Sequence, residues 1–170
     1  MNKLYSPELC PPPDSFRPAG KVLSAGFCMP PQLGRKRFTG RRLEGVRYER
    51  KAQTYLLWLY GENYVDSPWL RFYADGKWRW CQPDGLHFDV KRGIITIVEM
   101  KYQHTPDAWW QVKRLYQPVL EAIFPRTMWQ YRACEVVKWY DPDVSFPERV
   151  VLAQDVTMDC PGFKVHIYRP

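Results

Sequence analysis

Asp84, Glu99 and Lys101 place two acids and an amine where a strand hairpin could bring them together. They fall in Cys81-Gln-Pro-Asp84-Gly-Leu-His-Phe-Asp-Val-Lys-Arg-Gly-Ile-Ile-Thr-Ile-Val-Glu99-Met-Lys101. Two carboxylates brought close repel each other and resist ionisation unless a cation lies between them. A hard dication such as Mg²⁺ or Mn²⁺ removes that conflict, since Mg²⁺ uses one or two carboxylates together with water and substrate phosphate. A lysine beside the pair adds a positive group for a phosphate. The three would suit hydrolysis of a phosphodiester. The plain alternative is a surface hairpin with one Asp and a Glu/Lys pair two residues apart.

Periodicity indicates the strands and helix that carry these side chains. The run Ile94-Ile-Thr-Ile-Val-Glu-Met is β-branched and reads as a buried strand. Trp78 to Val90 reads as its antiparallel partner, with the turn at Lys91-Arg92-Gly93. With Lys91-Arg92 as a two-residue loop, Asp84 stands opposite Glu99. With Arg92-Gly93 as the loop, it stands opposite Lys101 and diagonal to Glu99. Both registers put all three on the face of Leu86, Phe88, Ile95 and Ile97, because residues two apart share a face. A three-residue loop breaks this parity unless a bulge restores it.

Upstream, Leu43 to Tyr60 has helical period. Ala52, Leu56 and Leu59 recur at i, i+4, i+7, Glu49 continues the stripe, and Gly61 ends the helix. Glu49 is then either a partly solvated first-turn acid favoured by the helix dipole or a third ligand of the metal site.

These residues resemble the PD-(D/E)xK nuclease superfamily. The matching features are Pro83-Asp84, a fourteen-residue spacer, Glu99-Met100-Lys101, and Glu49 on the preceding helix. The resemblance covers residues 44 to 124 and implies a restriction-endonuclease-like α/β core, a central mixed β-sheet flanked by helices in the order αβββαβ. It implies that Asp84, Glu99 and the Met100 carbonyl bind a metal, with Glu49 holding a second metal or its water. Lys101 would orient and help deprotonate the attacking water, or stabilise charge on the phosphate. Some members carry Gln-x-x-x-Tyr on the next helix. Here Gln111-Val-Lys-Arg-Leu-Tyr116 is one residue longer, leaving Gln111 a lesser candidate.

The chain has 170 residues, 45% of them hydrophobic, enough for one domain with its own core. No apolar run approaches bilayer length and the N-terminus has no signal-peptide core, so a cytoplasmic protein without membrane contact is expected. Five cysteines, none in Cys-x-x-Cys, read as reduced thiols. His104 lies just past Lys101, within reach of a phosphate, although an exposed loop position is the simpler expectation.

The net charge is +7, and Arg35, Lys36, Arg37, Arg41 and Arg42 cluster before the first helix, continued by Arg47. Such clusters neutralise phosphates without reading sequence. Residues 1–33 are proline-rich and read as an extended arm. Residues 34–170 read as the nuclease domain, led by the basic segment 34–51. Beyond the site, a helix is expected from Thr105 to about Phe124, kinked or broken by Pro118. Strands follow at Tyr131–Trp139, near Arg149–Val156 and at Phe163–Tyr168, with turn chemistry at Asp141-Pro-Asp143. Eight tryptophans include Trp78 and Trp80, alternating on one strand, and Trp109-Trp110. They serve packing, a platform for unstacked bases, or a dimer seam.

The expected function is a Mg²⁺- or Mn²⁺-dependent DNA endonuclease, resembling the junction-resolving members and so acting as a homodimer on branched DNA. A restriction-type or repair nuclease on duplex DNA, or a non-catalytic nucleic-acid-binding module, stays open.

Overall fold

The β-branched run at Ile94 opens the strand β6 (Ile94–Gln103), whose first seven residues are all buried. A strand covered on both faces sits inside a sheet. In this computed structural model, which describes residues 17–31, 39–139, 156–160 and 163–168, β6 pairs antiparallel with β5 (Gly85–Asp89) and parallel with β7 (Gln130–Trp139). With β2 (Tyr64–Asp66), β8 (Val156–Cys160) and β9 (Phe163–Tyr168) the order is β2-β5-β6-β7-β9-β8. The chain is thus α/β with a mixed sheet.

The helix α1 (Arg41–Tyr60) packs Tyr48, Ala52 and Leu56 against Val98, Met100, Cys134 and Val136 on one face. The other face carries Ile95, Ile97, Tyr131 and Ala133. It is covered by α2 (Pro106–Gln111), a π-helical turn (Val112–Tyr116) and α3 (Gln117–Ile123). A second sheet joins this larger core, with β1 (Val22–Phe27), β3 (Leu70–Ala74) and β4 (Lys77–Cys81) in the order β1-β3-β4. Its β3–β4 hairpin turns on Asp75-Gly76, both at positive φ, as a two-residue primed turn requires.

Several expectations need correcting. The segment Trp78 to Val90 is two strands in two sheets, because the chain leaves the ladder at Gln82-Pro83 and proline cannot donate to it. Five strands, not three, stand between α1 and α2. Residues 22–27 of the expected arm form the strand β1, hydrogen-bonded along β3. Leu59 is 43% exposed; the buried stripe runs through Tyr48, Ala52 and Leu56, so Glu49 stands beside its end and faces solvent. Of the strand expected near Arg149–Val156, Val156 opens β8, while residues 149–155 and Asp141-Pro-Asp143 lie outside the described residues.

Pro118 does interrupt the second helix, and the break takes a specific form. Its ring has no N–H for the Arg114 carbonyl and crowds it. The preceding turn widens to π geometry, with the Gln117 N–H on the Val112 carbonyl. The freed Arg114 carbonyl accepts the Ala19 N–H at 2.8 Å, which fastens the segment before β1 to this helix.

Candidate active site

The β5–β6 loop spans four residues, 90–93, an even number, and the register runs Asp89↔Ile94 to Gly85↔Val98. Extended by one pair, it sets Asp84 against Glu99, the first of the two expected registers. Extended by two, it would set Pro83 against Met100. The chain bends at Asp84 instead, and its Oδ2 accepts the Met100 N–H at 2.6 Å. The carboxylate thereby closes the ladder that β5 leaves open.

The Asp84 backbone is clamped from the other side. Its carbonyl accepts the Ser67 N–H at 2.9 Å and Gln53 Nε2 at 2.5 Å. Gln53 Oε1 in turn accepts the Tyr64 hydroxyl at 2.5 Å. Gly85 makes this possible: a Cβ there would fall inside the Tyr64 hydroxyl. Ser67 holds a left-handed φ of 46°, a conformation rare outside glycine and retained where the surroundings fix it.

Glu99 and Lys101 follow Ile95 and Ile97 on the face toward α2, as strand period dictates. Glu99 is 3% exposed, and its Oε1 meets Lys101 Nζ at 2.8 Å. Burial, then the neighbouring Asp84 charge, push the Glu99 carboxyl up to about 8, against the pull of Lys101. For Lys101, burial opposes the ammonium, but Glu99, Asp84 and Asp107 outweigh it and raise its pKa. Burial also raises Asp84, partly offset by the Met100 N–H and Lys101. The cluster is short of positive charge.

Lys101 Nζ also donates to Gln111 Oε1, and Gln111 Nε2 reaches the Tyr116 hydroxyl at 3.4 Å. The extra residue between Gln111 and Tyr116 is absorbed by the π-turn, whose wider pitch brings residues five apart onto one side. Gln111 therefore belongs to the centre, and sequence spacing alone understated it. Burial, Glu99 and Asp84 hold the Tyr116 phenol neutral.

Glu49 lies on α1, beside a cleft of about 480 Å³ that it lines with Arg50, Gln53, Asp66, Ser67 and Asp84. Burial and then Asp84 raise its pKa. Asp84 stands at the junction between this cleft and the contact of buried Glu99 with half-buried Lys101, neither of which lines the cleft. Sequence reading missed Asp66, Ser67 and Gln53. Gln53 carried a signal, since i and i+4 on a helix share a face with Glu49.

His104 is not an exposed loop residue. It is buried, with Nδ1 2.5 Å from Glu135 Oε2. Glu135, fully buried, stands beside Glu99 in the parallel β6–β7 register. Burial raises its pKa, against His104 and Lys101. An acid in phase with Ala133 and Val137 was its only sequence signal.

Of the basic residues, Arg35, Lys36 and Arg37 lie outside the described residues, Arg41 opens α1, and Arg42 and Arg47 are exposed on it. Among the described residues no three His, Cys, Asp or Glu side chains gather closely enough to hold a metal by themselves. Among the described residues Glu99 Oε2 is buried without a hydrogen-bond partner and Asp84 commits Oδ2 to the backbone, a donor set that would suit a dication keeping several waters. Among the described residues no helix is long and apolar enough to cross a membrane.

No protein-family model matches this chain, and no curated protein or solved structure matches it either.

Proposed function

We propose that this protein is a metal-dependent DNA endonuclease of the PD-(D/E)xK kind, with a restriction-endonuclease-like core around β5 and β6. The supporting observation is the junction at Asp84: a carboxylate turned out of a strand end, against buried Glu99 and Lys101 on one side and the Glu49 cleft on the other. Asp84 and Glu99 would hold Mg²⁺ or Mn²⁺, with the Met100 carbonyl available on the same strand and Glu49 across the cleft. When bound, the ion would supply Lewis-acid polarisation and a more acidic water.

The chain's own residues do the rest. Lys101 is held as an ammonium by Glu99 and Gln111, which suits it to stabilising phosphate charge rather than to taking a proton. Gln111 and the π-turn fix its position. Arg42 and Arg47 place positive charge along the helix that carries Glu49, where the DNA backbone would lie. Paired cuts at a four-way junction would need two copies of the site, hence a homodimer.

The test is a Mg²⁺ cleavage panel of linear duplex, single strand, flap and four-way junction at fixed salt. Cleavage that needs Asp84 supports the proposal, and paired symmetric nicks would support the branched-DNA substrate. Absence of metal-dependent cleavage on every substrate overturns it.

A further inference from the structure

Strand period divides the three-stranded sheet into two unlike faces. Leu70, Phe72 and Ala74 point into the core, so Arg71 and Tyr73 must point out. The pairs Arg71↔Trp80 and Tyr73↔Trp78 put two indoles beside them, and Gly26 and Ser24 of β1 complete the face. None of these six is acidic. Trp78 and Trp80 are 43% and 47% exposed, although burial of such rings is ordinarily a main source of stability.

The rings are arranged under positive charge. The Arg71 guanidinium lies 4.2 Å from the Trp78 ring centre and 5.6 Å from that of Trp80, within cation–π range. Tyr73 meets Trp78 edge-on at 5.3 Å. At Gly26 a Cβ would meet nothing among the described residues. Trp80 is four residues before Asp84, and Gln82 on that link donates to the Ser67 carbonyl at the cleft wall, at 2.9 Å. Four residues reach at most about 14 Å, the length of about four stacked nucleotides.

We infer that this outer face is a stacking platform for unpaired nucleotides of a DNA single strand that runs on into the Glu49–Asp84 cleft. The inference rests on the nuclease reading only for the strand's destination; the binding itself needs no cleavage. Indoles stack on any base, because every base presents a π-face, while Arg71 meets the phosphates. A duplex keeps its base faces inside the stack and cannot use the platform. A second copy of the chain is disfavoured, since a two-fold contact would bring together two cationic faces of a protein with net charge +7.

The experiment uses the full chain carrying Asp84→Asn, without metal, at fixed salt. The probes are a fluorescent oligothymidylate and a duplex of equal length. Trp78→Ala and Trp80→Ala should each weaken oligothymidylate binding by about fivefold or more, with duplex binding little changed. Phe at both positions should restore most of the affinity, and bound oligonucleotide should quench tryptophan emission. Unchanged oligothymidylate affinity in the folded double Ala variant, checked by circular dichroism, overturns the inference. So does a Trp-dependent loss of self-association in sedimentation, or of binding to phosphatidylserine vesicles, with oligonucleotide binding intact. Trp-dependent binding by a wild-type chain that cleaves nothing in Mg²⁺ would leave the platform standing and remove the nuclease reading. Cleavage with Trp-independent binding would do the reverse.

Discussion

Asp84 Oδ2 accepts the Met100 N–H at 2.6 Å, at the point where β5 stops pairing with β6. One oxygen is thereby committed to the sheet, in a residue that also lines the cleft. The bond also ties the acid to the strand that carries Glu99 and Lys101, so the three cannot drift apart independently.

Asp84→Asn should keep this bond, because the amide oxygen still accepts. Metal-dependent cleavage should fall to background while DNA binding in Ca²⁺ survives. Metal-free stability should not drop, since burial already disfavours the Asp84 charge. Cleavage at the wild-type rate would falsify the assignment of Asp84.

Glu99 sets a pH dependence. Its carboxyl is pushed up to about 8 from an ordinary 4.5, so the native state keeps a proton that the unfolded chain has released. Stability of the metal-free protein should therefore fall as pH rises between those values, and Glu99→Gln should flatten that slope. Mg²⁺ displaces the proton, so its gain in Tm should be larger at about pH 9 than at about pH 6. A gain independent of pH, measured by thermal melts, would count against Glu99 as a ligand.

Gly85→Ala forces a methyl into the Tyr64 hydroxyl, which Gln53 holds in place. Overpacking of this kind costs about 1–3 kcal/mol. Urea denaturation should show that loss, and Tyr64→Ala added to it should recover part. Two independent, additive losses would contradict the close approach.

Gln111→Ala releases Lys101 without removing it. If Lys101 serves the reaction, losing the partner that positions it should lower kcat by about tenfold to a hundredfold, with KM little changed. Tyr116→Phe should be milder, as its contact with Gln111 is long, at 3.4 Å. Equal changes in kcat and KM would argue for a general loss of structure.

His104→Ala strands Glu135 in the core. Leaving a buried polar group without its partner costs about 1–3 kcal/mol. Glu135→Gln with His104→Ala should cost less than the two single losses added together. Additivity in the double-mutant cycle would show that the 2.5 Å contact carries no coupling.

What lies along one strand could be read without any fold. Residues two apart share a face whatever surrounds them, so the row Ile95, Ile97, Glu99, Lys101 was legible, and so was the break at Pro118. The one-residue excess between Gln111 and Tyr116 was legible as a mismatch only. Its resolution needed the π-turn, which answers to a proline two residues further on.

Contacts that cross between elements came from the packing of the chain. Pro83 signals an end to pairing within Trp78–Val90, but nothing local says that the two halves join different sheets. Gln53 reaches Asp84, Ala19 reaches Arg114 and Glu135 stands beside Glu99 across long separations in sequence. Local periodicity fixes the side on which a residue emerges. What it meets there depends on which distant segment packs against that side.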